Sequence, residues 1–303
     1  MEKTTIRQAV NFVDVAGYLK RKDLKCNTNR NGVEAIYGTL TVLTTPNNEV
    51  AINVYVSETN SRGEPNKAYP GVKKIMNEWV SIASLMSDES NPMSLEDAKK
   101  ACTKLTTRGQ LSRREYVSQE DSSFVSRDSI SSNFFSSVEE VEDPRATFTV
   151  ECYIRSYKPE YRNGEPTGRD VVETWVPVYG GQILPFSFVV PKDMVDDFEN
   201  LYSPGNTAMV NGDYIDTILT NVERTSGFGR ANTTSTRIHE LVLAGGDPPY
   251  AEGNPKAYSD EIIRAAELVR TTETIPAIEA RANARPTASS TTGFSGNSSG
   301  FTF

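Results

Sequence analysis

One long pattern is written twice in this chain, about 135 residues apart. The first copy opens with Val15-Ala16-Gly17-Tyr18-Leu19-Lys20 and the second with Val150-Glu151-Cys152-Tyr153-Ile154-Arg155. Each opening is followed by a turn-rich segment, two apolar strands, a helical stretch and a closing strand pair. A repeat of this length constrains architecture more than any single motif, because each copy must close its own apolar face with the same series of elements.

In the first copy, Phe12 to Leu19 reads as a strand, and the polar, cationic segment Lys20 to Gly32 as a loop. Ile36, Leu40 and Val42 alternate with Tyr37, Thr39 and Thr41. After the turn Thr45-Pro46-Asn47-Asn48, alternation resumes at Val50, Ile52, Val54 and Val56, so the two runs form a hairpin. From Pro70, the residues Val72, Ile75, Met76, Trp79, Ile82 and Ala83 recur at helical spacing and predict one continuous stripe. Ser94 caps a second short helix with Glu96 and Asp97 in its first turn. Cys102 to Leu111 returns to strand, Arg113 to Ser126 reads as a charged loop, and Val125 to Val138 closes the unit.

The acidic run through Asp143-Pro144 marks a boundary. In the second copy, Phe148 to Ile154 is a strand, and Tyr157 to Gly168 is a loop with a tight turn at Asn163-Gly164. Val171 to Tyr179 and Ile183 to Val190 form a hairpin around Gly180-Gly181. Pro191 starts a helix, and Ala208 to Val222 pairs with Ile238 to Leu243. Ser259 caps a last helix, Asp260 to Arg270, and the pattern dissolves after Pro276. The expected fold is mainly β with a few helices. Its parts are a first unit over 1–143, a second over 144–250, a helical segment over 251–280 and a disordered tail over 281–303.

Five strands with a helix between the third and fourth, found twice, resemble the oligonucleotide/oligosaccharide-binding (OB) barrel in tandem. In that barrel the face of strands two and three takes the ligand, together with the loops joining strands one to two and four to five. In copy one those segments carry Lys20, Arg21, Lys22, Lys25 and Arg30, then Arg113, Arg114, Tyr116, Phe124 and Arg127. In copy two they carry Tyr157, Lys158, Tyr161, Arg162 and Arg169, then Arg224, Phe228, Arg230 and Arg237. Cations follow phosphates and release counterions, and rings stack on bases. Of the strand aromatics, Tyr37 and Trp175 are expected as stacking platforms, with Tyr55, Phe186 and Phe188 in the core.

The chain is also similar, by strand order and loop chemistry over Phe12 to Pro249, to phage and mobile-element single-stranded DNA-binding proteins. That resemblance implies a non-enzymatic protein that coats single-stranded DNA in replication or recombination in the host-cell cytoplasm, with RNA as the alternative ligand. It also implies a flexible tail that recruits replication or recombination proteins, here through Phe294, Phe301 and Phe303. The tail departs from the usual acidic form, with no Asp or Glu after Glu279. The rival expectation is a virion structural or assembly protein with no nucleic-acid role.

Totals bear on these expectations. Net charge is −8, unusual for a general nucleic-acid binder, so binding depends on how charge is distributed. Acid concentrates in Glu139-Glu140-Val141-Glu142-Asp143 and in the helices around Asp196-Asp197 and Asp260-Glu261. No apolar run of about 18 residues predicts a membrane span, and Met1 to Gln8 lacks a signal-peptide core. Three dispersed cysteines fit a reducing compartment and form no zinc module. There is no phosphate-binding glycine loop, since Gly227-Phe228-Gly229-Arg230 lacks the third glycine. His239 reads as structural, Asp193, Asp196, Asp197 and Glu199 as a solvated helix face, and Asp213 and Asp216 as lying on opposite strand faces. No catalytic constellation, cofactor or metal is expected.

Overall fold

The computed structural model describes residues 6–29, 32–45, 47–60, 62–223 and 232–283. Alternating burial shows why the strands form where they do. Along β1 (Asn11–Thr28), Val13, Val15 and Leu19 enter a core. They meet Ile36, Leu40 and Val42 of β2 (Glu34–Thr45) and Val50, Ile52, Val54 and Val56 of β3 (Asn48–Ser57). β4 (Lys104–Val117) adds Leu105 and Leu111, and β5 (Phe124–Ser131) adds Ile130. Each such large side chain contributes about 1.5–3 kcal/mol on burial.

β1 pairs with β2, β2 with β3, β3 with β5, β5 with β4, and β4 returns to β1; only β3–β5 is parallel, at Ile52 and Ile130. That circuit is a closed five-stranded OB barrel. A short β6 (Phe135–Val138) flanks β4. The second copy repeats the circuit with β7 (Arg145–Arg162), β8 (Glu165–Val178), β9 (Gln182–Val190), β10 (Thr207–Glu223) and β11 (Asn232–Gly246), the parallel pair being β9–β11. Its core stacks Phe148 on Phe188 and Phe188 on Phe186, as expected for the last two.

The repeat holds at single-residue resolution. The bulge in β1–β2 falls between Leu19 and Arg21, and that in β7–β8 between Ile154 and Ser156, so Lys20 and Arg155 are counterparts. The barrels join through β1 and β7 in antiparallel register. Asn11 pairs with Val150, the counterpart of Val15, and Val15 pairs with Ala146, the counterpart of Asn11. The joint therefore has the self-complementary pairing of a two-fold dimer, built within one chain.

Three helices connect β3 to β4: α1 (Tyr69–Glu78), α2 (Ile82–Met86) and α3 (Leu95–Ala101). The single helix expected from Pro70 is broken. Trp79 turns extended, and Ser81 restarts the chain with a reciprocal capping box to Ser84. Ser94 caps α3 as expected. Leu43, Ile82, Ala98 and Cys102 form a small satellite core under α2 and α3. In the second copy α4 (Val195–Leu201) follows a 3-10 turn.

After β11, Ser259 caps α5 (Asp260–Val269). The chain continues through a π turn into α6 (Ile275–Asn283), so helix persists beyond Pro276, contrary to the sequence expectation. Pro276 follows directly on the π turn, a place where a continuous helix commonly bends. Arg270, at this turn, is buried between Glu115 of β4 and the Ile183 carbonyl of β9, tying both barrels to the helix.

Candidate nucleic-acid interface

The segments read as cationic loops are strands for most of their length. β1 runs to Thr28 and β4 to Val117, so Lys20, Arg21, Lys22, Lys25, Arg113, Arg114 and Tyr116 are strand residues with fixed faces. In the second copy, β7 and β8 extend to Arg162 and Glu165 around the expected Asn163-Gly164 turn, where both residues have positive φ. Alternation over such short polar stretches is weak, which hid these extensions from the sequence.

Fixed faces sort the expected residues sharply. Lys22 lies on the inward side and donates from Nζ to the carbonyls of Ile75 (3.3 Å), Met76 (2.7 Å) and Trp79 (2.8 Å). It caps the C-terminus of α1, where a cation is favoured, and burial lowers its pKa. Lys20 pairs with Glu49, and Arg113 with Asp128 while lying over the Phe186 ring. Lys158 pairs with Glu173 at 3.2 Å, and Arg237 with Asp216 at 2.5 Å.

Arg162 and Arg169 both reach Glu160 and Glu240, in a four-residue network that ties the β7–β8 hairpin to β11. Tyr157 faces inward and packs edge-on against Phe198, with ring centroids 5.7 Å apart. Trp175 is 6% exposed, with Arg155 over its ring at 4.6 Å, so it is a core residue and not a platform. Beside it, the Tyr153 hydroxyl donates to Asp260 of α5 at 2.7 Å. Arg30, Arg224, Phe228, Arg230 and the tail rings Phe294, Phe301 and Phe303 lie outside the described residues.

What remains among the described residues lies on the first barrel in two groups, one on β1–β2–β3 and one on β4–β5. Lys25, Tyr37 and Tyr55 form one row across β1, β2 and β3. Tyr37 is half-buried, and Tyr55, expected in the core, is 68% exposed. The period-two alternation that buries Val54 and Val56 already puts Tyr55 on the opposite face, and that signal was sufficient to find it. The row needs close strand approach. A Cβ on Gly38, where φ is 143°, would come within 2.0 Å of the Asp23 carbonyl oxygen. Arg21 is exposed on the same face, 3.6 Å from Asp23.

Toward the β4–β5 turn, exposed Arg114 and Arg127 pair directly across the strands. The Arg114 guanidinium lies 5.5 Å from the Tyr116 ring, and Phe124 is half-buried at the turn. Lys25, Arg114 and Arg127 make no ion pair among the described residues. At the counterpart of the Lys25–Tyr37 pair, the second barrel carries the neutralised Glu160 and Arg169, with exposed Tyr161 beside Glu160.

His239 bridges the barrels elsewhere. Its ring nitrogens lie 3.8 Å from Asp128 of the first barrel and 3.6 Å from Asp216 of the second, with Tyr214 edge-on at 5.2 Å. Burial raises the Asp128 pKa. At Asp216 burial is outweighed by the nearby His239 and by two hydrogen bonds from Arg237, which lower it. This cluster is a structural joint. Among the described residues, no group of three or more His, Cys, Asp or Glu could hold a metal ion. Among them too, no helix is long and apolar enough to cross a membrane.

Two closed barrels of this circuit, joined through their first strands, define a tandem OB-fold protein. The chain belongs to the YorF family, whose family model matches residues 9–278. It is similar to the solved structure of a deletion variant of the single-stranded DNA-binding protein from Thermus aquaticus, at 10% identity and a TM-score of 0.49, over 82% of this chain and 98% of that one. It is likewise similar to the wild-type protein from the same organism, at 9% identity and a TM-score of 0.45, over 82% and 97% of the two chains. No curated protein matches the chain.

Proposed function

We propose that this protein binds single-stranded DNA through the outer face of its first barrel, as a coating protein without catalytic activity. The observation that carries the reading is the row of Lys25, Tyr37 and Tyr55. It sets a cation without an ion pair among the described residues beside two accessible rings, on the strands where an OB barrel takes its ligand. Arg114, Arg127 and Tyr116 extend the surface toward the β4–β5 turn. Among the described residues of the second barrel, Arg155, Lys158, Arg162, Arg169 and Arg237 are paired with carboxylates, which favours the first barrel as the ligand face. A net charge of −8 then disfavours indiscriminate polyanion binding and confines it to this face.

A role in replication or recombination inside a reducing cytoplasm fits three free thiols, of which Cys152 is held protonated by burial, its pKa pushed up to about 12. Fluorescence anisotropy with labelled oligo-dT, oligo-U and a duplex, at two salt concentrations, tests the reading. The single strand should bind more tightly than the duplex and weaken with salt. Equal binding to both, or none, refutes it.

A further inference from the structure

Phe134 is 68% exposed, yet it does not sit on a loose loop. The turn that presents it is locked from several sides. Thr107 Oγ1 donates to the Phe134 carbonyl at 2.6 Å, the Phe134 N–H donates to Ser132 Oγ at 3.3 Å, and the Thr107 and Ser132 hydroxyls bond at 2.8 Å. On one side, Phe135 packs edge-on against Trp79, with centroids 6.5 Å apart. On the other, Asn133 accepts from the Tyr55 backbone N–H at 3.2 Å, placing this turn at the end of the Lys25–Tyr37–Tyr55 row. The backbone is thus held in place while the ring stands in solvent, so a partner that stacks on it has only the side chain to order.

Phe134 also lines a groove of about 450 Å³ that contains Lys67, Arg108 and Arg145. Lys67 is exposed and makes no ion pair among the described residues. Arg108 stacks over Phe12 at 4.7 Å and gives Nε and Nη2 to Asp14, which leaves further N–H groups on a side chain that remains mostly exposed. Arg145 is half exposed and bonds Asp143 at 3.1 Å. Past Arg145 the surface turns acidic, with Glu139, Glu140 and Glu142 lining the adjoining hollow. Unpaired Lys67 and the two carboxylate-paired arginines, beside an exposed ring, suit a nucleotide and its phosphates, and the acidic wall repels a strand that goes further.

We infer that a bound single strand continues from Tyr55 over Phe134 and into this groove, so that Phe134 is a third stacking platform and Lys67 a phosphate contact. The inference rests on the proposed function of the first barrel. It is tested with the full chain and two oligo-dT lengths, about 6 and about 16 nucleotides, which bracket the span of one OB barrel. Phe134→Ala should weaken the longer oligonucleotide about tenfold and leave the shorter one within about twofold, and Lys67→Glu should act in the same direction. Tyr55→Ala should weaken both.

If Phe134→Ala and Lys67→Glu leave the longer oligonucleotide unaffected while Tyr55→Ala weakens it, the extended path is wrong and the barrel face stands. Equal weakening of both lengths by Phe134→Ala also overturns the extension. If Tyr55→Ala changes neither, the barrel-face reading fails and the extension falls with it. Because Phe134 is exposed, an unchanged circular dichroism spectrum and melting temperature confirm that the variant is folded.

Discussion

Arg114 and Arg127 stand directly opposite one another across β4 and β5, both exposed and neither ion-paired among the described residues. Like charges at opposed positions destabilise a sheet. Nearby cations in this chain, Arg113 and Lys20 among them, are matched with carboxylates. A pair left in repulsion is relieved when a polyanion runs between its members. Arg127→Ala should therefore leave the melting temperature unchanged or raise it. It should also weaken oligo-dT binding and reduce the slope of log K against log salt by about 0.7, the share of one phosphate contact on a single strand. A binding constant and slope equal to those of the parent protein would remove Arg127 from the interface.

Tyr37 and Trp175 make a contrasting pair, since both are aromatic strand residues expected as platforms. Tyr55→Ala and Tyr37→Ala should each cost about 1–3 kcal/mol of binding to single strands, the worth of a stacked base, with little loss of stability for exposed Tyr55. Trp175→Ala should instead cost about 3–5 kcal/mol of stability, as for other core aromatics, and leave oligonucleotide affinity unchanged in the folded protein. Urea denaturation beside anisotropy separates the two behaviours.

The strand order and the two-fold repetition were legible because buried alternation at Val50, Ile52, Val54 and Val56, and at its counterparts, is a long periodic signal. The partners of the cations were not. Lys22 in sequence is one of three consecutive basic residues, Lys20-Arg21-Lys22. Only the inward face set by the β1–β2 register brings its ammonium to the end of a helix more than fifty residues away. Arg162 and Arg169 likewise find Glu240 through folding, and no local pattern announces that contact. Composition marks where charge is dense, whereas three-dimensional pairing decides which charges remain for a ligand.

That distinction predicts opposite phenotypes for neighbours. Lys22→Met removes a charged donor to three helix-terminal carbonyls and should cost about 1.5–3 kcal/mol of stability, with oligonucleotide affinity intact. Lys25→Met, on the outer row, should weaken oligonucleotide binding and leave stability nearly unchanged. Thermal melts and anisotropy on the two variants check this. A Lys22→Met protein that melts normally but binds poorly would mean that Lys22 meets the ligand rather than α1.

Glu151 gives the fold its clearest acid sensitivity. It is fully buried and accepts both Arg7 guanidinium bonds, at 2.7 and 2.8 Å, together with the Val10 N–H at 3.2 Å and the Tyr258 hydroxyl at 3.2 Å. Burial alone would raise its pKa, but the bonds to Arg7 and its neighbours outweigh burial and hold it below the ordinary glutamate range. A carboxylate with a lowered folded pKa contributes stability that is complete above its unfolded pKa, about 4.3, and is lost as pH falls through the folded value. Wild-type stability should thus drop as pH is lowered from about 5, on top of losses at other carboxylates such as Asp216, whose pKa is also lowered. Glu151→Gln should be destabilised by about 1.5–3 kcal/mol at pH 7. The gap between variant and wild type should narrow as pH falls below about 4.3, because the unfolded wild type then takes up a proton that the folded state resists and the ion pair's contribution declines. Urea denaturation of both proteins at intervals from pH 7 to pH 3 measures that gap, and a difference independent of pH would show that Glu151 acts through packing rather than charge.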